Sequence, residues 1–228
     1  MQTTRPRKSL YAELLFTVGL FVIPSFLNAL SRHAAPDERP IGAVEASLGF
    51  GSMILTEILF IGLLFHVLKL NGEGLDALTR PIERRDAWQG LLLFGLGFVL
   101  DLLVLPMALN LFGGDPKEPG PQNSQFMKTS LTPLYVMLMV VNPFFEEFTM
   151  RGFLQTRLRQ CGWGLMPIVF FSAGLQGAYH LYQGLPYAVT NTVGFLVWAI
   201  LYERTRRLWL IVGAHLFHDQ FAMWSYST

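Results

Sequence analysis

The sequence predicts an all-α membrane protein, a polytopic bundle of about seven transmembrane helices with its polar residues gathered in the bundle core. Three observations carry this expectation. Of 228 residues, 52% are hydrophobic and 14% charged, well short of the roughly 25% charge of a soluble domain. Mean hydropathy is +0.39. Several apolar stretches reach the ~18–20 residues that a helix needs to cross the hydrocarbon core.

The first stretch, 9–30, follows Arg5, Arg7 and Lys8 and so mimics a signal peptide. Its apolar run is longer than a signal core and lacks a small-x-small cleavage site, so it reads as a retained span. The next two are 48–70 and 87–112. Pro24 and Pro106 are expected to kink the first and third, since each removes a backbone donor. A polar Pro/Gly loop at 113–125 then divides the chain into a three-span region, 1–130, and a four-span core, 131–228. Within the core, 131–158 must tilt or project from the bilayer. The remaining spans are 164–182, 186–202 and 208–224, of which 186–202 is at the lower limit of length. No internal repeat is evident, which counts against repeat-built transporters.

Loop charges give an orientation. With the N-terminus inside, Arg5, Arg7, Lys8, Lys69, Arg80, Arg84, Arg85, Arg157, Arg159, Arg204, Arg206 and Arg207 face inward. Only Arg32, Arg39, Lys117 and Lys128 face outward, so the N-terminus is expected to be cytoplasmic and the C-terminus external. The single Cys161 excludes an intrachain disulfide and a cysteine metal cluster. A net charge of +1 gives no support for nucleic-acid binding.

Charged side chains inside an apolar span cost a few kcal/mol or more, and they mark function or pairing. The densest group is N-P-F-F-E-E-F-T-M-R-G-F-L-Q, with Glu146, Glu147 and Arg151. Adjacent helical residues point about 100° apart, so the glutamates face differently. Glu147 and Arg151 are spaced i,i+4 for an ion pair. That leaves Glu146 as the less constrained carboxylate, free to act as a base. His180 lies near the end of the fifth span, in G-A-Y-H-L-Y-Q-G. In the seventh, G-A-H-L-F-H-D-Q-F puts His215 and Asp219 on one face with His218 beside them. Counting ~1.5 Å per residue from the inner ends leaves these levels one to two turns apart, within reach of tilt and long side chains. Glu13, Glu57 and Asp101 also fall within spans and His66 near an inner end. They read as helix-to-helix bonds or as a proton or ion path, and Asp101 has the best case for a partner such as Arg151 or a histidine.

The chemistry open to such a cluster is water-mediated acyl hydrolysis. A partly desolvated glutamate can take a proton from water near neutral pH. A neighbouring histidine can orient the water or protonate the leaving amine, and opposing histidines can donate to the oxyanion. No serine or threonine stands in a nucleophile setting, and Cys161 reads as a bystander.

E-E-x-x-x-R followed by R-G-F-L-Q, then H-L-Y-Q-G, then H-x-x-x-D resembles the CPBP family of intramembrane proteases. That family includes CAAX prenyl endopeptidases and bacteriocin-processing relatives. The resemblance covers about 131–224 and is carried by three motifs in order. It implies a glutamic-type endopeptidase that cuts a membrane-anchored or membrane-inserted peptide or protein near its C-terminus, in a multi-pass protein of a bacterial or archaeal cell membrane. It implies that Glu146 and His180 activate the water, that Glu147 and Arg151 support them, and that His215 with Asp219 forms the oxyanion side; His218 would be auxiliary. Two positions depart from the family pattern. Gln176 stands where an aromatic is usual, and Asp219 where asparagine is frequent. An ionised Asp219 cannot donate to an oxyanion; it would orient His215 or hold a cation. The resemblance favours a metal-free mechanism, with zinc on Glu146, His180 and His215 as the alternative. A non-catalytic membrane partner or immunity protein, and a proton-coupled transporter, are the readings from other classes.

Overall fold

The computed structural model describes residues 6–34, 42–113 and 132–226, and among them there are helices and no strands. The chain runs α1 (Arg7–Ala34), α2 (Ala43–Leu70), a 3-10 turn (Leu75–Ala77) and α3 (Arg84–Phe112). It resumes with α4 (Pro133–Glu147), which passes without a break through a π-helix (Phe148–Gln155) into α5 (Thr156–Gln160). Then come α6 (Leu165–Tyr179), a 3-10 turn (His180–Gln183), α7 (Leu185–Thr205) and α8 (Leu208–Tyr226). Helices α1, α2, α3 and α7 are long and apolar enough to cross a membrane. The three other expected spans coincide with α4 through α5, α6 and α8, which are shorter or carry more of the polar residues. Most of the 113–125 loop lies outside the described residues, as do Arg5, Arg39, Lys117, Lys128 and the division at 130.

Each long helix buries one stripe and leaves the rest apolar. On α1 the stripe is Leu10, Leu14, Thr17, Val18 and Val22, while Leu15, Phe16, Ile23 and Leu27 on the other side are exposed. That is the 3.6-residue period of a helix with one packed face, and apolar outer faces suit lipid. Both α1 and α3 continue through their internal prolines, Pro24 and Pro106. Helix α7 is longer than the sequence suggested, running past Tyr202 to Thr205 before Arg206 enters the left-handed region with φ 56°.

One core joins both parts of the chain. Leu14, Val18, Leu64 and Leu93 from α1, α2 and α3 pack in the same cluster as Phe148, Phe153, Trp198, Tyr202 and Ile211. Two glycines permit the closest approaches. A Cβ on Gly90 of α3 would lie 3.0 Å from the Leu210 carbonyl of α8. A Cβ on Gly177 of α6 would lie 1.8 Å from Thr192 Oγ1 of α7. Gly177 thus brings α7 against α6 one turn before His180.

Charged side chains fasten one end of the bundle. Arg157, fully buried, pairs through Nε with Glu13 Oε1 at 2.6 Å and through Nη2 with Glu73 Oε2 at 2.5 Å. Arg207 donates from Nε to Asp86 Oδ1 at 2.9 Å. The other oxygen of Asp86 accepts from the Glu83 amide at 2.7 Å and closes the capping box of α3. Glu13, one of the intramembrane acids in the sequence, is therefore a clamp residue.

Candidate active site

The polar residues gather where α4, α6, α7 and α8 meet. Pro143 sits inside α4 and has no N–H to offer, so the Met139 carbonyl four residues earlier loses its helical partner. Gln220 Nε2 from α8 takes that place, donating to Met139 O at 3.3 Å. The bond docks α8 against the turn before Glu146 and Glu147. Beyond Glu147 the helix widens into the π form, and all eight residues Phe148–Gln155 are buried. Such π segments occur frequently at functional sites. Ser172 Oγ of α6 donates to the Met150 carbonyl at 3.2 Å.

Glu147 and Arg151 are both wholly buried, and they pair at 3.2 Å between Oε2 and Nε. The second oxygen, Oε1, lies 2.9 Å from His215 Nδ1. A carboxylate accepts, so Nδ1 carries the hydrogen and donates. Arg151 lies over two rings of α7, with its guanidinium carbon 5.1 Å from the Phe195 centroid and 5.9 Å from the Trp198 centroid. The same rings touch the histidines: Phe195 is 5.2 Å from His180 and Trp198 is 5.2 Å from His215, between centroids. Cation–π contact of this kind offsets part of the cost of a buried guanidinium.

Glu146 points differently. Its Oε2 accepts from Gln176 Nε2 at 2.8 Å. The Gln176 main-chain carbonyl in turn lies 2.9 Å from His180 Nδ1. A carbonyl can only accept, so Nδ1 of His180 is protonated and Nε2 is the nitrogen left to the site. His180 is the C-cap of α6 and starts the 3-10 turn, outside the helix that 164–182 suggested. That break turns its ring inward.

Asp219 Oδ1 faces His215 Nε2 at 3.5 Å and His218 Nδ1 at 3.6 Å. His180 lies within electrostatic range of Glu146, His215 and Asp219. Glu146, His180, His215 and Asp219, on three separate elements of the sequence reading, thus share one region with Glu147 and Arg151. His218 sits farther out, between Asp219 and Asp101 of α3, with Nε2 at 3.6 Å from Asp101 Oδ2. Glu57 of α2 accepts from Asn142 Nδ2 at 3.0 Å. Among the described residues, no three His, Cys, Asp or Glu side chains are arranged to hold a metal ion.

Sequence reasoning missed the weight of Gln176, the paired rings Phe195 and Trp198, and Gln220. Gln176 stands four residues before His180, and Phe195 and Trp198 are spaced i,i+3, so the signal was present as periodicity without chemistry attached.

Residues 128–221 match the family model described as type II CAAX prenyl endopeptidase Rce1-like. The likeness to that family is confined to this segment. It agrees with the resemblance to CPBP intramembrane proteases, and it encloses every site residue from Glu146 to Asp219. The family is one of proteases, which supports peptide hydrolysis as the activity class. With its spanning-length helices, the protein is an integral membrane protein. No curated protein and no solved structure matches the chain.

Proposed function

We propose that this protein is a glutamic-type intramembrane endopeptidase, in which Glu146 and His180 activate water and His215 receives the oxyanion. The observation that carries the reading is Gln176, whose side chain holds Glu146 while its carbonyl fixes the His180 tautomer. The two groups that must share a water are set by one residue. The first step removes a proton from that water onto Glu146, with His180 Nε2 orienting the lone pair, and forms the C–O bond at the scissile carbonyl. The negative charge that develops on the carbonyl oxygen is met by the Nε2 proton of His215. The C–N bond then breaks, and Glu146 returns its proton to the leaving amine.

Asp219 holds His215 in this reading. Its Oδ1 faces His215 Nε2 while Glu147 takes Nδ1, so a carboxylate stands at each ring nitrogen and Asp219 accepts rather than donates. Glu147 is paired with Arg151. The substrate is a membrane-anchored or membrane-inserted peptide cut near its C-terminus, with a prenylated CAAX end as the first candidate. The reaction needs no metal. The N-terminus and the Arg157 clamp lie on the cytoplasmic side.

The deciding experiment is cleavage of a prenylated reporter peptide ending in CAAX by purified protein in lipid nanodiscs. Glu146→Gln should lower kcat by about 10²–10⁴, the usual contribution of a general base, without changing thermal unfolding. Equal cleavage by wild type and Glu146→Gln sinks the hydrolytic reading. A strong chelator should leave the rate unchanged; loss restored by zinc would establish the metal alternative.

A further inference from the structure

Beyond Asp219 the side chains alternate acid and base along one line. Asp101 of α3 lies 3.6 Å from His218, which lies 3.6 Å from Asp219, which lies 3.5 Å from His215. His215 then reaches Glu147 at 2.9 Å, and Glu147 reaches Arg151 at 3.2 Å. The line holds three carboxylates, Asp101, Asp219 and Glu147, and three bases, His218, His215 and Arg151. It is electrically neutral only when both histidines are protonated. In a bundle with apolar outer faces an uncompensated charge is costly, so neutrality is the favoured state. Asp219 is the critical member, since one oxygen, Oδ1, serves both imidazoles. With His218 uncharged, that oxygen has only His215 to answer it and draws the imidazole toward itself. With His218 charged, Asp219 is shared, and His215 keeps its Nε2 proton available.

We propose that Asp101 and His218 are positioning residues that hold Asp219, and through it His215, ready to receive the oxyanion. The proposal rests on the hydrolytic reading above. Asp101 lies on α3, outside the Rce1-like segment 128–221, so the site is completed by a helix that the family match does not cover. The charged groups acting on His218 are Asp101 from α3 and Asp219 from its own helix. Those acting on Asp219 include His215 and His218 beside it, with Glu57 of α2 and His180 also in electrostatic range.

The test uses the full-length protein in nanodiscs and a prenylated fluorogenic peptide ending in CAAX, with kcat and KM measured across pH. Asp101→Asn and His218→Gln should each lower kcat about tenfold, as loss of an orienting partner typically does, with KM changed less than about twofold. Asp101→Asn should also move the alkaline limb of the kcat profile to lower pH, because an imidazolium without its carboxylate gives up its proton more readily. Asp101→Glu should restore most of the rate. In the His218→Gln background, Asp101→Asn should have no further effect on that limb. The role is overturned if both single variants match wild type in kcat and pH profile, or if their losses lie in KM alone. Glu146→Gln, run in parallel, separates the two ideas. An active Glu146→Gln ends the hydrolytic reading itself, whereas an inactive one beside unaffected Asp101→Asn and His218→Gln ends only the positioning role. Thermal unfolding of each variant identifies any that fails to fold, and the other variant then decides.

Discussion

Gln220 donates its side-chain amide to the main-chain carbonyl of Met139 at 3.3 Å, filling the vacancy that Pro143 opens in α4. A helix defect and a side chain from another helix therefore form one joint, and the joint sits a turn before the paired glutamates on one side and directly after Asp219 on the other. Gln220→Ala leaves a carbonyl without a partner, which should cost about 1–3 kcal/mol. A lowered unfolding temperature in detergent, together with reduced kcat, is expected; unchanged values for both would mean that the joint does not set the register of α8.

Gly177→Ala should be poorly tolerated. Its Cβ would meet Thr192 Oγ1 at 1.8 Å and the Ala188 carbonyl at 3.3 Å, and that hydroxyl is committed to the same carbonyl at 2.7 Å. Overpacking of this kind costs about 1–3 kcal/mol. Thr192→Ala should recover part of the loss in a double-mutant cycle, since it removes the atom in closest conflict. Additive losses in that cycle would show that the two helices do not meet here.

Replacing Gln176 tests whether the two motifs are joined. Gln176→Leu keeps the main-chain carbonyl that accepts from His180 and deletes the amide that holds Glu146. The expected result is a fall in kcat of about tenfold or more, from loss of one oriented hydrogen bond to a charged group, with the protein folded. An aromatic at this position, as the family pattern has it, should be less damaging than leucine only if the aromatic group itself carries a polar hydrogen to Glu146; tyrosine against phenylalanine makes that comparison.

At the buried clamp, Arg157→Ala should be among the most destabilising single changes. It strands Glu13 and Glu73 around an emptied buried position, and breaking a buried ion pair from one side costs about 3–5 kcal/mol. Arg157→Lys should not restore stability, because a single ammonium cannot reproduce the fork that spans two carboxylates. Thermal unfolding of the two variants, with Glu13→Gln in each background, checks both statements.

Cys161 should behave as an inert thiol. It is buried in the turn after α5, and burial pushes the thiol above its ordinary value. The sign is that the thiolate, the reactive form, is scarce at neutral pH. Maleimide should label the folded protein slowly and the denatured protein promptly, and Cys161→Ala should cleave the reporter peptide as wild type does. Rapid labelling in the native state would contradict the burial.

The helical fold was legible because lipid leaves so little choice: apolar runs of spanning length must be helices. The pairing of Glu147 with Arg151 followed from i,i+4 spacing, and the shared face of His215 and Asp219 from the same rule. What periodicity could not supply was contact between helices. Nothing in the spacing joins Glu147 to His215, 68 residues apart, or Asp101 to His218. Gln176 was read as a departure from a family pattern; its bond to Glu146 joins two helices, and its carbonyl meets His180 in a 3-10 turn that sequence spacing does not distinguish from continuing helix. The π-helix was equally hidden, since its residues differ in no obvious way from an ordinary apolar span.

The shared core of α1, α2 and α3 with the later helices has a consequence for how this protein can be cut or recombined. A recognisable motif block begins at 128, yet Leu14, Val18, Leu64 and Leu93 fill the interior against that block. A construction that transplanted 128–221 alone would present a polar-studded, half-covered surface to lipid and should be degraded. The segment that the family model recognises is smaller here than the unit that must fold.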